Sequence, residues 1–296
     1  DVSMAELLIR AGARADVAND YGATPLSMAA LNGSEPMVER LLGAGAPPNT
    51  TLPSGETALM TAARSGSVEV VKVLVAAGAN VNATELALGQ TALMWAVAER
   101  HMDVVQTLVE SGANPGARSA SGFTPLLFAA RMGDRDLVRF FLEKGADINE
   151  TAEDGTTPLA VATVRGHAAL AEWLLDRGAN PNKDTIGYAA LHWAAGTFDT
   201  RSTHEYTTED GEWEALAGIP NRDTKLSLIH ALLAHGADPN IANQAGWTPC
   251  MTAAYNNSMA YLRALVEGAA RQEGRTLDIN AVTPGTHTWN NAELIH

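Results

Sequence analysis

A nine-residue phrase that begins with glycine recurs along the chain at nearly constant intervals. Successive copies begin 33, 34, 33, 33, 32 and 59 residues apart. A repeat of this length indicates one small unit stacked many times, in which each unit buries its apolar side chains only against its neighbours. The copies are GATPLSMAA, GETALMTAA, GQTALMWAV, GFTPLLFAA, GTTPLAVAT, GYAALHWAA and GWTPCMTAA, which begin at Gly22, Gly55, Gly89, Gly122, Gly155, Gly187 and Gly246.

Each repeat has the pattern of two helices followed by a turn. A threonine usually stands two residues after the glycine, where its hydroxyl can cap the first helix, and proline often follows at the first helical position. The second helix has apolar residues at helical spacing, such as Val70, Val71 and Leu74. It ends at a glycine, such as Gly78, that can adopt positive φ. The Asn- and Pro-rich link that follows predicts a hairpin-like loop.

The repeated phrase resembles the ankyrin-repeat signature T-P-L-H-x-A. A second phrase, which ends the second helix of each repeat and reads FLEKGADIN or LLAHGADPN, resembles the family's other signature, G-A-D-x-N. The resemblance covers nearly the whole chain and implies an all-α ankyrin-repeat solenoid of stacked helix–turn–helix units with hairpin-like loops. The implied solenoid has about seven complete repeats and an N-terminal half repeat. The histidine of the family signature occurs only at His192.

The register of the repeats predicts one array over residues 1–281. Its half repeat covers residues 1–15, and its full repeats start near residues 16, 49, 82, 115, 149, 182 and 240. Residues 282–296 form a tail or the start of a further repeat. Neither end has a polar capping repeat, which stacked arrays need. We therefore expect the sequence to be a slice of a longer chain.

Charge and composition argue against several classes of partner. The chain has 34 acidic and 20 basic residues, a net charge of −14, which repels phosphate backbones and anionic membrane surfaces. We therefore expect no nucleic acid as partner, and a protein with a basic patch instead. No stretch approaches the ~20 apolar residues of a membrane span. Glycine-rich phosphate loops and the motifs H-E-x-x-H, C-x-x-C and G-x-S-x-G do not occur in the sequence, so we expect no cofactor and no metal.

The 59-residue step holds about 26 extra residues, 197–222, between the two helices of the sixth full repeat. Loop length alone costs little stability, so a merely tolerated loop is one interpretation. Such a loop has no need for Phe198, Tyr206 and Trp213, and insertions in repeat arrays often map to the binding face. We interpret this insertion as a partner-specific element. Its acidic residues are Asp199, Glu205, Glu209, Asp210, Glu212 and Glu214.

The phrase DGEWEALAGIP within the insertion also resembles an insertion in a group of bacterial multi-ankyrin proteins. Many of these resemble exported proteins, and some continue into a c-type haem segment. The resemblance implies an exported or periplasmic location, with the cytoplasm as the alternative. The haem signature C-x-x-C-H does not occur in these 296 residues.

The family resemblance also implies where a partner binds. Ankyrin targets dock on the concave side, which the hairpin tips and the inner face of the first helices form. Aromatic, Met and Arg side chains are enriched in such interfaces, although each aromatic here can instead pack against the adjacent loop. The candidate contacts, including those of the insertion, are Phe123, Arg131, Met132, Asp154, Arg165, Tyr188, Phe198, Tyr206, Trp213, Trp247 and Tyr255.

Three functions remain open on this basis. The first is a non-enzymatic scaffold that binds another protein, and it is the one that we favour. The second is an accessory subunit or domain of a larger, redox-associated protein whose chemistry lies outside these residues. The third is an enzyme that uses the insertion, where His204 stands next to Glu205, with Asp210 and Glu212 nearby, and where an acid–base pair is conceivable.

Three local features complete the expectations. Cys250 is the only cysteine, at a position where neighbouring repeats have core leucine, and we expect a buried thiol. Leu86 and Leu88 lie at a lengthened hairpin tip, where they either fold back onto the array, which we favour, or extend outward as a contact. We also expect four histidines on or beside the second helices to be solvated, namely His101, His167, His230 and His235.

Overall fold

The computed structural model describes residues 2–185, 187–196, 222–272 and 277–278. The chain divides into two compact units, Asp1–Ala146 and Asp147–His296. Within the described residues both units consist of helices, with two-residue strands only in one hairpin loop. The expected all-α fold is therefore confirmed.

The first unit begins with one helix and continues with helix pairs. Each pair joins a short first helix to a nine-residue second helix. The helices are α1 (Val2–Arg10), α2 (Pro25–Leu31), α3 (Glu35–Gly43), α4 (Ala58–Ser65), α5 (Val68–Ala76), α6 (Ala92–Ala98), α7 (Met102–Glu110), α8 (Pro125–Met132) and α9 (Arg135–Glu143).

The second unit has the same pairing. Its short strands form an antiparallel hairpin in which Asp184 pairs with Ala189 and Thr185 with Tyr188. The elements are α10 (Pro158–Val164), α11 (Ala168–Leu175), β1 (Asp184–Thr185), β2 (Tyr188–Ala189), α12 (Ala190–Ala195), α13 (Arg222–Ala234), α14 (Pro249–Tyr255) and α15 (Met259–Ala270).

The threonine of the repeated phrase caps the first helix, as the sequence predicts. Thr57 Oγ1 accepts a hydrogen bond from the N–H of Met60 at 3.2 Å, and Thr157 Oγ1 accepts one from Ala160 at 3.1 Å. These bonds satisfy N–H groups that a helix leaves unpaired in its first turn. The same contact occurs at the start of α2, α6, α8 and α14.

Asparagines after the second helices connect successive repeats. The side chain of Asn49 donates to the Gly78 carbonyl at 3.0 Å and accepts from the Asn80 N–H at 2.7 Å. In the second unit, Asn149 makes the same two contacts with Gly178 and Asn180. Each asparagine thus satisfies a donor and an acceptor of the next repeat, which fixes the spacing of the hairpin-like loops.

The first helix of the chain is less buried than the equivalent helix of a later repeat. Leu74 of α5 is 0% exposed, whereas Leu8, at the equivalent position of α1, is 53% exposed. Met4 and Leu7 of the same helix are exposed as well. α1 packs against α3, and these three apolar side chains remain largely open to solvent.

Candidate partner-binding surfaces

Trp247 and Tyr255 form an aromatic pair in the second unit. Their ring centroids are 5.5 Å apart at an interplanar angle of 82°, an edge-to-face contact. Trp247 is half-buried in the hairpin-like loop before α14, and Tyr255 is the last residue of α14. Tyr255 is 78% exposed. Of the predicted contacts within the described residues, these two are brought together with a large aromatic surface still accessible.

Buried polar groups hold the loop that carries Trp247. The Trp247 N–H donates to Asn243 Oδ1 at 2.8 Å, and the Trp247 carbonyl lies 2.9 Å from His192 Nε2. His192 Nδ1 accepts the N–H of Ala189, so Nε2 carries the ring proton and donates to Trp247. Burial lowers the pKa of His192, which keeps the ring neutral. The signature histidine thus links α12 to the next hairpin-like loop.

The other candidates of the second unit lie at separate places. Tyr188 is half-buried between His192 and Trp193, with ring centroids 5.7 and 5.4 Å away. Asp154 is exposed, and its Oδ1 accepts the N–H of Thr156 at 2.8 Å, which shapes its own turn. Arg165 is the half-buried C-cap residue of α10.

The candidates of the first unit are more enclosed. Phe123 is 6% exposed and packs edge-on against Phe128 at 5.8 Å, so local packing accounts for most of its surface. The Arg131 guanidinium lies 5.1 Å from the Phe128 ring centroid, a cation–π contact. Met132 is half-buried at the end of α8, and its carbonyl accepts a hydrogen bond from Arg100.

Two tryptophans on the first helices were absent from the predicted contacts. Trp95 of α6 is half-buried, and the Arg64 guanidinium lies 4.9 Å above its ring. Trp193 of α12 is half-buried beside Tyr188. Both occupy the same position of the repeated phrase, four residues after Thr91 in one copy and after Ala189 in the other. That shared position is the signal that could have identified them.

The insertion itself lies outside the described residues, and with it Phe198, Tyr206, Trp213 and the His204–Glu205 pair. Its two flanks are described. α12 ends before Gly196, and α13 begins at Arg222, the last residue of the predicted insertion. Lys225 is buried in the first turns of α13, and its Nζ donates a hydrogen bond to the Gly196 carbonyl. This contact joins the residue before the insertion to the helix after it.

The lengthened hairpin tip of the first unit differs from the favoured prediction. Leu86 is 77% exposed, although its Cγ lies against Gly55 and its N–H donates to the Ser54 carbonyl at 2.8 Å. Leu88 is half-buried. The buried Glu85 carboxylate accepts N–H groups from Ala87, Leu88 and Gln90. These bonds shape the tip, in which most of the Leu86 surface remains open to solvent.

Cys250 is partly buried, and two of the histidines make contacts with neighbouring repeats. Cys250 is half-buried rather than fully buried, and burial raises the pKa of its thiol to about 11. His101 and His235 are not merely solvated. His101 Nε2 lies 3.1 Å from the Arg64 carbonyl, and His235 Nε2 lies 3.0 Å from Asp176 Oδ1. Among the described residues, no group of three or more His, Cys, Asp or Glu side chains could hold a metal ion. No described helix is long and apolar enough to cross a membrane.

Comparisons with known proteins identify the family. A family model described as ankyrin repeats (3 copies) matches residues 1–85, 78–152 and 126–201, and one described as ankyrin repeats (many copies) matches residues 217–266. The chain is similar to the human ASB11 ankyrin repeat domain, with a TM-score of 0.67 and 23% identity over 83% of this chain and 98% of that one. A comparison with curated proteins finds no match.

A second solved structure is that of the ankyrin repeat domain of Bcl-3, a member of the IkappaB protein family. It has a TM-score of 0.64 and 29% identity over 83% of this chain and 99% of that one. The two family models cover more than half of the chain. The chain therefore belongs to the ankyrin-repeat family.

Proposed function

We propose that this chain is a non-enzymatic scaffold that binds another protein through the hairpin-like loops and first helices of its later repeats and through the insertion at 197–222. Ankyrin repeat domains are generally protein-interaction scaffolds. The observation that carries the proposal for this chain is the Trp247–Tyr255 pair, in which a large aromatic side chain is both exposed and held in place.

The fixed position of the Trp247–Tyr255 pair favours binding. The backbone N–H and carbonyl of Trp247 bond to Asn243 and His192, and the Tyr255 ring packs edge-on against the Trp247 ring. A side chain that is already held loses little conformational freedom when a partner covers it, so more of the contact free energy remains as affinity. Tyrosine and tryptophan are also the residues that most often dominate the energetics of an interface. We therefore assign Tyr255 as the principal contact among the described residues.

The charge of the chain supports a partner with a basic patch. The net charge is −14, and the insertion holds six acidic residues against Arg201 and Arg222. Opposite charges steer two proteins together and raise the association rate, an effect that salt screens. The association rate should therefore fall steeply between about 20 and 300 mM salt, a range over which the Debye length shortens severalfold. A rate that stays constant over this range contradicts the proposed charge of the partner.

Photo-crosslinking can test the proposed contact before the partner is known. A photo-reactive amino acid placed at Tyr255 should cross-link one protein in the source cells, and the same amino acid at Tyr21 should not. Tyr21 is a matched control because it is 84% exposed and lies in a hairpin-like loop of the first unit. With the recovered protein, Tyr255→Ala should reduce affinity about tenfold, ~1.4 kcal/mol, and Tyr21→Ala should leave it unchanged. Equal effects of the two variants would rule out the assignment.

A further inference from the structure

A groove of about 390 Å³ lies between α13 and α15, the second helices of the last two helix pairs. Leu233 of α13 packs on Gly268 of α15, a position at which any Cβ would clash with that leucine. The residues that line the groove precede Leu233 and Gly268 in the sequence of each helix, beginning at Arg222 in α13 and at Met259 in α15. α13 has 13 residues and α15 has 12, whereas α5 has nine. The additional length at the start of α13 therefore supplies part of one wall.

The floor of this groove is apolar and partly uncovered. Leu226 and Ala260 are half-buried, and Ala264 is buried between the helices. Met259, the first residue of α15, is 69% exposed. Methionine has an unbranched, polarizable side chain that adapts to different partners, and it is frequent on surfaces that bind peptides. The floor can thus accept apolar side chains from another molecule.

The rim of the groove is basic, although the chain as a whole is acidic. Arg222, His230 and Arg263 are exposed there, and Glu267 is the carboxylate among the lining residues. In the part of the chain that the structure describes, neither Arg222 nor Arg263 forms an ion pair. Other exposed arginines do form such pairs, as Arg139 does with Asp136 at 2.9 Å. The two groove arginines therefore have their charge available for a ligand.

We propose that this groove binds an acidic amphipathic helix of another protein. Its apolar side chains would cover Leu226 and Met259, and its carboxylates would pair with Arg222 and Arg263. An amphipathic helix in an apolar groove is a common mode of peptide recognition, and arginine pairs with carboxylates through two parallel hydrogen bonds. The site belongs to the second helices and differs from the hairpin-like loops and first helices of the proposed scaffold surface, although it shares Arg222 with the insertion. It thus adds an acidic ligand to the basic partner proposed above.

The test uses the full chain and a synthetic probe peptide. The probe is a helical peptide of about 15 residues with leucine at every third or fourth position and glutamate elsewhere, and the control peptide has glutamine in place of glutamate. Methyl-¹³C labelling of the nine methionines gives the readout, with the Met259 signal assigned through Met259→Leu. The acidic peptide, added up to about 1 mM, should shift the Met259 signal because even a weak complex is populated at that concentration.

Substitutions then separate charge from other causes. Arg222→Glu combined with Arg263→Glu should weaken binding at least tenfold, ~1.4 kcal/mol. Arg135→Glu, a matched change at an exposed arginine of α9, should leave binding unchanged. The three substituted arginines are exposed, so unfolding temperatures should match that of the unmodified chain.

Several results would overturn the proposal. One is the absence of a Met259 shift, and another is equal binding of the glutamine peptide. A third is binding that appears only after residues 198–221 are replaced by a short Gly/Ser turn. That result would show that the groove is occupied by the chain's own acidic insertion, and not by a segment of another protein.

Discussion

The helix pairs α4–α5 and α12–α13 belong to the same repeat pattern but begin and end their first helices differently. Thr57 caps α4 through its hydroxyl, and Gly66 ends it with a left-handed φ of 75°, one residue before the N-cap of α5. At the start of α12, Ala189 has no hydroxyl to accept the His192 N–H, and the His192 ring accepts the Ala189 N–H, as Met60 Sδ accepts the Thr57 N–H in α4. Gly196 has an extended conformation, with φ −97° and ψ 153°, and its carbonyl accepts from Lys225.

The difference shows how a repeat can host an insertion. In α4–α5 the caps are local, and the turn between the helices is short. In α12–α13 the hydroxyl cap is absent, and the chain leaves at Gly196 and returns at Arg222, where the buried Lys225 of α13 bonds to the Gly196 carbonyl. The stacking contacts stay the same. Asn182 bonds to Gly236 and Asp238 across the insertion, as Asn149 bonds to Gly178 and Asn180 in the preceding repeat.

The largest effect should come from reversing the charge of Lys225. Lys225→Glu places a carboxylate against the Gly196 carbonyl in a buried position, and we expect a loss of unfolding free energy of about 3 kcal/mol or more. The matched control is Ser67→Glu. Ser67 lies 11 residues before Gly78, as Lys225 lies 11 before Gly236, but it is the half-exposed N-cap residue of α5. There a carboxylate faces the positive end of the helix dipole, and the loss should stay below about 1 kcal/mol.

Urea unfolding of the two variants provides the measurement. A Lys225→Glu chain as stable as the Ser67→Glu chain would mean that the Lys225–Gly196 contact is not needed to close the sixth repeat.

A smaller effect should follow from giving α12 the methionine that α4 carries at Met60. His192→Met removes the bond to the Trp247 carbonyl and leaves the Ala189 N–H with at most a weak methionine sulfur acceptor, as Met60 Sδ is for the Thr57 N–H, at a cost of about 2 kcal/mol. Adding Ala189→Thr restores the hydroxyl cap that α4 uses and should recover about 1 kcal/mol. Thermal unfolding of both variants checks this. If the added threonine recovers nothing, α12 does not need the hydroxyl cap that α4 uses.

The smallest effect concerns pH. Burial lowers the pKa of His192, so the unfolded chain binds its proton more readily, and stability falls as the pH falls through about 6.5. The pKa of His235 is raised by its bond to the Ala231 carbonyl and further by Asp176. Its contribution is therefore present below about pH 6.5 and is lost as the pH rises through the folded-state pKa.

Unfolding midpoints in urea at pH 7.5 and 5.5, on either side of the ordinary histidine pKa of about 6.5, separate the two groups. The His192→Met chain should lose less stability on acidification than the unmodified chain, and His235→Ala should lose more. Identical pH dependence in all three chains would contradict both assignments.

The sequence predicted the features that depend on neighbouring residues. Thr57 and Thr157 cap their helices because the N–H groups that they satisfy lie three residues ahead. The contacts of Asn49, Asn182 and Lys225 were not predicted, because each joins residues 29 or more positions apart. The exposure of Leu86 corresponds to the less favoured of the two expectations, and the bonds of the buried Glu85 carboxylate that shape this tip were not predicted.

The same distinction applies to the candidate surface. The repeat register placed Trp247 in a hairpin-like loop and Tyr255 on a first helix. It did not show that Phe123 packs against Phe128 of the same repeat, because this contact depends on the directions of the two side chains. Trp95 and Trp193 were not among the predicted contacts, although both occupy the same position of the repeated phrase.

Replacing residues 197–221 by a short Gly/Ser turn tests most directly whether the sixth repeat is a standard stacking unit with an added recognition element. Asn182 keeps its contacts with Gly236 and Asp238, so the unfolding temperature should change little. Affinity for the protein cross-linked at Tyr255 should fall at least tenfold, ~1.4 kcal/mol, and Trp213→Ala should reproduce much of that loss. A shortened chain that folds and binds with unchanged affinity would contradict the account, and so would one in which α12–α13 and α14–α15 unfold.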